Sequence, residues 1–112
     1  MTNSTDLMKR AREALLSKKG VDVKAFDVRA VSPVTDYYMV VSGATGAQLK
    51  AMANAIIKDL KETGGDRPRF SGTPDDGWIV VDCFDVVIHI FQQEKRDYYA
   101  IEELWADCPQ AA

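Results

Sequence analysis

The sequence predicts an α/β domain in which helices pack on a mixed β-sheet of about five strands. Three observations predict it. Stretches with apolar residues at helical spacing and recognisable start and stop signals lie at both ends and in the middle of the chain. Between them stand strand-length segments of alternating or continuous apolar residues. Two of the joins between those segments are too short to hold a crossover helix, which excludes a purely parallel sheet.

The elements follow in chain order. Leu7, Met8, Ala11, Ala14 and Leu15 recur at spacings of three and four, with Lys9, Arg10 and Arg12 off that stripe, so the first helix is expected over residues 4–19. Asn3, Ser4 or Thr5 supplies an N-cap, and Gly20 the left-handed residue at its end. Phe26, Val28 and Ala30 alternate with Asp27 and Arg29, which predicts a half-buried strand closed by Ser32-Pro33. Residues 37–42 read as a second strand of β-favouring side chains ending at Gly43. Thr45 with Gln48 forms a capping box, and Leu49, Met52, Ala53, Ile56, Ile57 and Leu60 then mark the clearest helix, which stops at Gly64-Gly65. Residues 69–72 suit a short edge strand, and Thr73-Pro74-Asp75-Asp76-Gly77 a turn. The apolar runs 78–83 and 86–91 then read as a hairpin joined by Phe84-Asp85. From Lys95 onward helical spacing returns, with Tyr98, Ile101, Leu104, Trp105 and Cys108 on one face before Pro109 stops it.

Composition narrows the function. A chain of 112 residues, 46% hydrophobic and 28% charged, forms one ordinary domain, 1–112, large enough to bury a core without staples. With 14 Lys plus Arg against 17 Asp plus Glu, and no basic run longer than Lys18-Lys19, bulk phosphate neutralisation is disfavoured. The longest apolar runs fall far short of the ~20 residues of a bilayer-spanning helix. The first six residues lack the basic-then-apolar pattern of a secretory signal, so a cytoplasmic protein is expected. Cys83, Cys108 and a single histidine, His89, offer neither a disulfide framework nor zinc-ligand spacing.

The hairpin carries the most information. With Phe84-Asp85 as its turn, Cys83 faces Val86, Val81 faces Ile88 and Ile79 faces Ile90, one wholly apolar face that must be core. The other face sets Trp78 opposite Phe91, Val80 opposite His89 and Asp82 opposite Val87, too apolar for an idle solvent face. Either a helix covers that face as a second core layer, or it stays open as a partner-binding patch with aromatic anchors.

Catalytic readings are weaker. Cys83 and His89 project from opposite faces of the hairpin and should not meet as nucleophile and base. Asp82 and Asp85 diverge, which makes a poor metal clamp. Gly43-Ala44-Thr45-Gly46 lies where backbone amides can hold a phosphate, but lacks a P-loop lysine and dinucleotide spacing. Met39 and Met52 fit the apolar pattern as core filler. Arg96, Tyr99 and Glu103 lie opposite Ile101 on the last helix, as an exposed ion-pairing edge or an interface edge.

Three segments carry a family resemblance: Trp78-Ile79-Val80-Val81-Asp82, Val87-Ile88-His89-Ile90-Phe91, and Arg96-Asp97-Tyr98-Tyr99-Ala100-Ile101-Glu102-Glu103-Leu104-Trp105. Together they closely resemble the ribosomal silencing factor family, also called RsfS or Iojap. Thr35-Asp36-Tyr37 and the helix around Ala53 are similar to its pattern, so the resemblance covers roughly residues 26–107. The chain departs from it at Thr45-Gly46-Ala47, where the family often has Ser-Ser-Arg, and at Ser71-Gly72, where it usually has Glu-Gly; no contact of that arginine or glutamate is carried over. The resemblance implies a nucleotidyltransferase-like α/β fold without that fold's catalytic acids, and a non-enzymatic repressor of translation needing no cofactor. It implies binding to the large ribosomal subunit through the fourteenth large-subunit ribosomal protein, blocking the small subunit sterically, with no DNA or membrane partner.

The resemblance favours the open reading of the sheet face. Trp78 is then the central anchor with Val80, His89 and Phe91 beside it, Asp82 and Glu102 answer basic residues of the partner, and Arg96 and Tyr99 form the rim. Two other readings stand beside this one. The first is a nucleotide-binding or nucleotidyltransferase-like enzyme using the 43–46 turn and Asp82 or Asp85; the second is a homodimeric scaffold that uses the same face for self-association.

Overall fold

Two helices lie on one side of a five-stranded sheet and a third, broken one crosses part of the other side. The computed structural model describes residues 3–65 and 67–111. Its elements run α1 (Ser4–Ser17), β1 (Val21–Asp27), β2 (Tyr37–Gly43), α2 (Gly46–Thr63), β3 (Arg69–Thr73), β4 (Trp78–Asp82), β5 (Val86–Gln92) and α3 (Gln93–Tyr99), followed by a 3-10 helix, Ile101–Trp105. The strand order is β1-β2-β5-β4-β3. Among the described residues only β2 and β5 pair in parallel, so the sheet is mixed as the short joins predict.

Side-chain caps set both long helices. Asn3 accepts from the Asp6 N–H at the start of α1. Thr45 Oγ1 accepts from the Gln48 N–H, while Gln48 Oε1 accepts from the Ala44 N–H at 2.7 Å, a capping box that reaches one residue further back than the usual form. The Gln48 amide also donates to the carbonyls of Lys18 and Lys19, tying the end of α1 to the start of α2. Gly64, at φ 75°, ends α2 in the left-handed conformation expected there.

At the end of α1 the expectation is corrected. Lys19, not Gly20, takes positive φ, and the helix stops at Ser17. Gly20 is needed for close approach instead: a Cβ there would lie 2.7 Å from Val41 Cγ2 and 2.9 Å from the Leu15 carbonyl oxygen.

The first strand also differs, occupying Val21–Asp27 instead of residues 26–30. Asp22 sits at φ 53° and the β1–β2 register shifts between Val21 and Lys24, so a bulge hides the period-two signal at the front of the strand. At its end, Asp27 accepts from both the backbone and the guanidinium of Arg29 and bends the chain before Val28 and Ala30 can extend the ladder.

The hairpin register is the one its facing residues predict, with Val81 opposite Ile88, Val80 opposite His89 and Trp78 opposite Phe91. Its turn lacks glycine. Phe84 is held at φ 69° while Asp82 Oδ1 accepts from the Phe84 N–H at 2.8 Å, an Asx-type turn that stabilises a conformation the aromatic residue alone disfavours.

Two apolar layers result. On the helix side, Met8, Ala11 and Leu15 of α1 and Leu49, Met52, Ile56 and Leu60 of α2 close over Met39, Val41, Ile79, Val81, Ile88 and Ile90 of the sheet. The second layer is smaller: Phe26, Val28, Val40 and Phe91 lie beneath Trp105. Residues 109–111 cover the outer edge of β1, where the Asp27 N–H donates to the Pro109 carbonyl and the Ala111 N–H to the Ala25 carbonyl. An edge strand paired by the chain's own tail is closed to foreign strands.

The last helix is the largest correction. It begins at Gln93, and Ala100, at φ 47°, breaks the α-helical period before the 3-10 helix. Trp105 therefore turns onto the sheet, whereas Tyr98 and Leu104, expected beside it, are 79% and 76% exposed.

Arg96, expected on an exposed edge, is only 3% exposed. Its guanidinium donates to Glu102 Oε1, to the Asp22 carbonyl at 2.8 Å and to Ser42 Oγ at 2.9 Å, joining α3 to the 3-10 helix and to the adjoining ends of β1 and β2. That hydrogen bond, with Lys24 3.6 Å from the other carboxylate oxygen, holds the Glu102 carboxyl below its ordinary range. Removing Arg96 leaves the half-buried Glu102 with Lys24 alone and takes the donor from the Asp22 carbonyl and Ser42 Oγ. Arg96→Met should cost about 3 kcal/mol of stability in urea denaturation; a loss below about 1 kcal/mol would show that the clamp does not hold the cover.

Candidate partner-docking face

The sheet face opposite α1 and α2 is covered at one end and open at the other. On its covered end, Trp105 stacks on Tyr38 with centroids 4.3 Å apart and planes 10° from parallel, and meets His89 at 5.7 Å. Tyr99 lies 4.9 Å from Trp78 and 6.4 Å from Phe91. Val80, Asp82 and Val87 lie half-buried beyond this cover. Ser71 and Thr73 of β3, opposite Val80 and Trp78, carry the strip to the sheet edge.

Trp78 is fixed from three sides. Its ring stacks on Phe91 at 4.8 Å, Tyr99 closes on it, and its indole Nε1–H donates to His89 Nδ1 at 3.1 Å. A nitrogen that accepts this bond carries no proton, and burial pushes the His89 pKa down to about 4, so the imidazole is neutral at physiological pH. The histidine positions the indole.

The structure redistributes the residues expected at this face. Trp78, Val80, Asp82 and Tyr99 retain accessible surface on one side of the sheet. Phe91 is fully buried and stacks beside Trp78 from the neighbouring strand. His89 is likewise buried. Arg96 is an interior clamp because it reaches under α3 to β1 and β2, and Glu102 is bound to it. Tyr98 and Leu104 are exposed instead: Tyr98 lies across α3 from the buried Arg96, and the break at Ala100, which no sequence pattern marks, takes Trp105 off the face it would share with Tyr98 in one continuous helix.

No catalytic arrangement forms from the other candidates. Cys83 faces the helix-side core, where burial and then the neighbouring Asp82 push its thiol up to about 12. His89 lies in the opposite layer. In the 43–46 turn the Ala44 N–H is occupied by Gln48, and a Cβ on Gly43 would lie 2.9 Å from Leu49 and Met52 side-chain atoms, so the loop is closed around its own residues. Among the described residues no group of three or more His, Cys, Asp or Glu is placed to hold a metal ion, and no helix is long and apolar enough to cross a membrane.

The family profile described as ribosomal silencing factor during starvation matches residues 1–112. The chain belongs to the ribosomal silencing factor family. It is 34% identical over 109 residues to the ribosomal silencing factor RsfS of Bacillus subtilis, covering 97% of this chain and 92% of that one. A crystal structure of a Chromobacterium violaceum protein superimposes with a TM-score of 0.88 at 35% identity, covering 93% of this chain and 87% of its own. A mouse relative, mitochondrial assembly of ribosomal large subunit protein 1, is 31% identical over 87 residues, 75% of this chain and 38% of the mouse protein. The resemblance carried by the β4, β5 and α3 segments is thus confirmed, and so is the α/β fold with its mixed sheet.

The buried histidine of this RsfS-family member gives a pH signature. Because its folded pKa lies below the unfolded value of 6.5, only the unfolded chain takes up a proton as pH falls between the two. The contribution of His89 should be complete above about pH 6.5 and fall by roughly 3 kcal/mol towards pH 4. The lowered carboxyls of Asp27 and Glu102 lose their contributions only at the acid end of this range or below it. Between about pH 5 and 6.5 the slope belongs to His89, and urea denaturation of a His89→Gln variant should lack it. An unchanged slope would refute the assignment.

Proposed function

We propose that this chain is a non-enzymatic cytoplasmic repressor of translation that binds the large ribosomal subunit through its fourteenth ribosomal protein and sterically blocks the small subunit. The observation that carries the reading is the open end of the sheet face: a rigid, half-buried tryptophan beside an apolar strip, in a chain of the ribosomal silencing factor family. The name of the mouse relative, which refers to assembly of the ribosomal large subunit, supports that subunit as the partner.

Such a function needs no chemistry. The domain measures 34 × 34 × 21 Å, and a body of that size on an intersubunit surface excludes whatever else belongs there. Trp78 is the anchor, Val80 and Val87 extend the apolar contact, Asp82 meets a basic group and Tyr99 lies on the rim. The net charge of −3 suits a basic protein surface better than bare RNA.

The protein should sediment with purified large subunits and not with small ones, and should reduce complete ribosomes when the two are mixed. Equal recovery with both subunits, or an unchanged profile at saturating protein, contradicts the proposal. Trp78→Ala should weaken large-subunit binding by at least about 2 kcal/mol, as for an aromatic hot spot. Its cost in urea denaturation should stay below the ~3–5 kcal/mol of a fully buried aromatic. A variant that folds and binds normally refutes the docking assignment. Incubation with labelled nucleotides and magnesium or manganese should give no transfer; turnover abolished by Asp82→Ala would overturn the non-enzymatic reading.

A further inference from the structure

Beside Trp78 lies a groove of about 610 Å³ between the turn that precedes β4 and the start of α3. Its lining includes the aromatic rings of Trp78 and Tyr99, the acidic Asp75 and Asp76, and Lys95. Among the described residues, neither aspartate makes an ion pair. The turn that bears them is pinned. The Asp76 N–H donates to the Thr73 carbonyl, the Gly77 N–H to the Pro74 carbonyl, and the Gln92 N–H of β5 to the Gly77 carbonyl at 2.9 Å. Gly77, at φ 72°, lets the turn approach α3 so closely that a Cβ would lie 2.9 Å from Lys95 Cγ.

Trp78 cannot offer its N–H to a ligand in this arrangement, because His89 already accepts it. What the indole presents to the groove is ring surface, whose quadrupole attracts cations. Two carboxylates against one ammonium make the groove net negative, which repels phosphate and favours a cation. A planar cation with several fixed donors meets both requirements at once, stacking on the ring while donating to the carboxylates, whereas a compact ammonium satisfies only the charge.

We infer that this groove receives the guanidinium of an arginine side chain from the protein partner, held by the aromatic rings of Trp78 and Tyr99 and the carboxylates of Asp75 and Asp76. The inference rests on the docking reading above and names the chemistry of the contact. Asp75 and Asp76, not Asp82 alone, then supply the negative charge that orients the partner.

Two measurements separate this inference from the broader reading. In the first, an Asp75→Asn/Asp76→Asn variant is tested for binding to purified large subunits. Both side chains are exposed, so its melting temperature should match the wild type, while affinity should fall about ten-fold or more, with a weaker dependence on salt. If the wild type binds and the variant binds equally well, the groove is not the arginine site although the docking reading stands. If the wild type does not bind at all, the docking reading falls. In the second, the isolated protein is titrated with a Gly-Arg-Gly peptide, its citrulline counterpart and AMP, following the Trp78 indole resonance by NMR. The arginine peptide alone should shift it, and the double variant should abolish the shift. Equal shifts from the citrulline peptide, a larger shift from AMP, or none from the arginine peptide would overturn the inference whatever the subunits show.

Discussion

The bond between buried Arg96 and half-buried Glu102 fixes how much of the sheet is covered. Helix α1 and helix α2 seal one face through a continuous apolar layer, but the short α3 has no such layer of its own and is bonded in place. Arg96 reaches the Asp22 carbonyl and Ser42 Oγ, both at the same end of the sheet, and Glu102 brings the 3-10 helix back to that point. Trp105 is thereby set over Tyr38 and Phe26, and the cover stops short of Val80 and Asp82. A longer uninterrupted helix would lie across the strip that this arrangement leaves accessible.

The aromatic cluster transmits that constraint to the open end. Trp105 contacts His89, His89 accepts the Trp78 indole N–H, Phe91 stacks on the same indole and Tyr99 meets it at a tilt. The contacts on Trp78 hold its ring in place, which would lower the ordering cost of association at this face. A buried neutral histidine is the cost of this arrangement at low pH.

Much of the fold was legible because the signals are local. Period-two alternation and the facing pairs of the hairpin predict the β4–β5 register, and the Thr45–Gln48 box marks the start of α2. What was hidden depends on backbone conformations that no periodicity reports: the bulge near Asp22, the bend at Asp27 and above all the left-handed Ala100. That single residue ends the period that would put Tyr98 and Trp105 on one face, so Trp105 is buried while Tyr98 and Leu104 are exposed. The candidate site was readable as a grouping of residues on one face, and the family resemblance suggested the partner class. The division of that face into covered and open ends was not readable, because it depends on Arg96 bonding to residues more than fifty positions away in sequence. Phe91, His89 and Arg96 consequently belong to the support of the face and not to its surface.

The central claim is that the uncovered end of this sheet face is where the chain meets the large subunit. Hydroxyl-radical footprinting of side chains, on the free protein and on the protein bound to purified large subunits, tests it directly. Trp78, Tyr99 and Val80 should lose reactivity on binding while the outward residues of α1 and α2 remain as reactive as before. Protection confined to α1 and α2, with Trp78 and Tyr99 unchanged, would place the partner on the opposite side of the sheet and contradict the account.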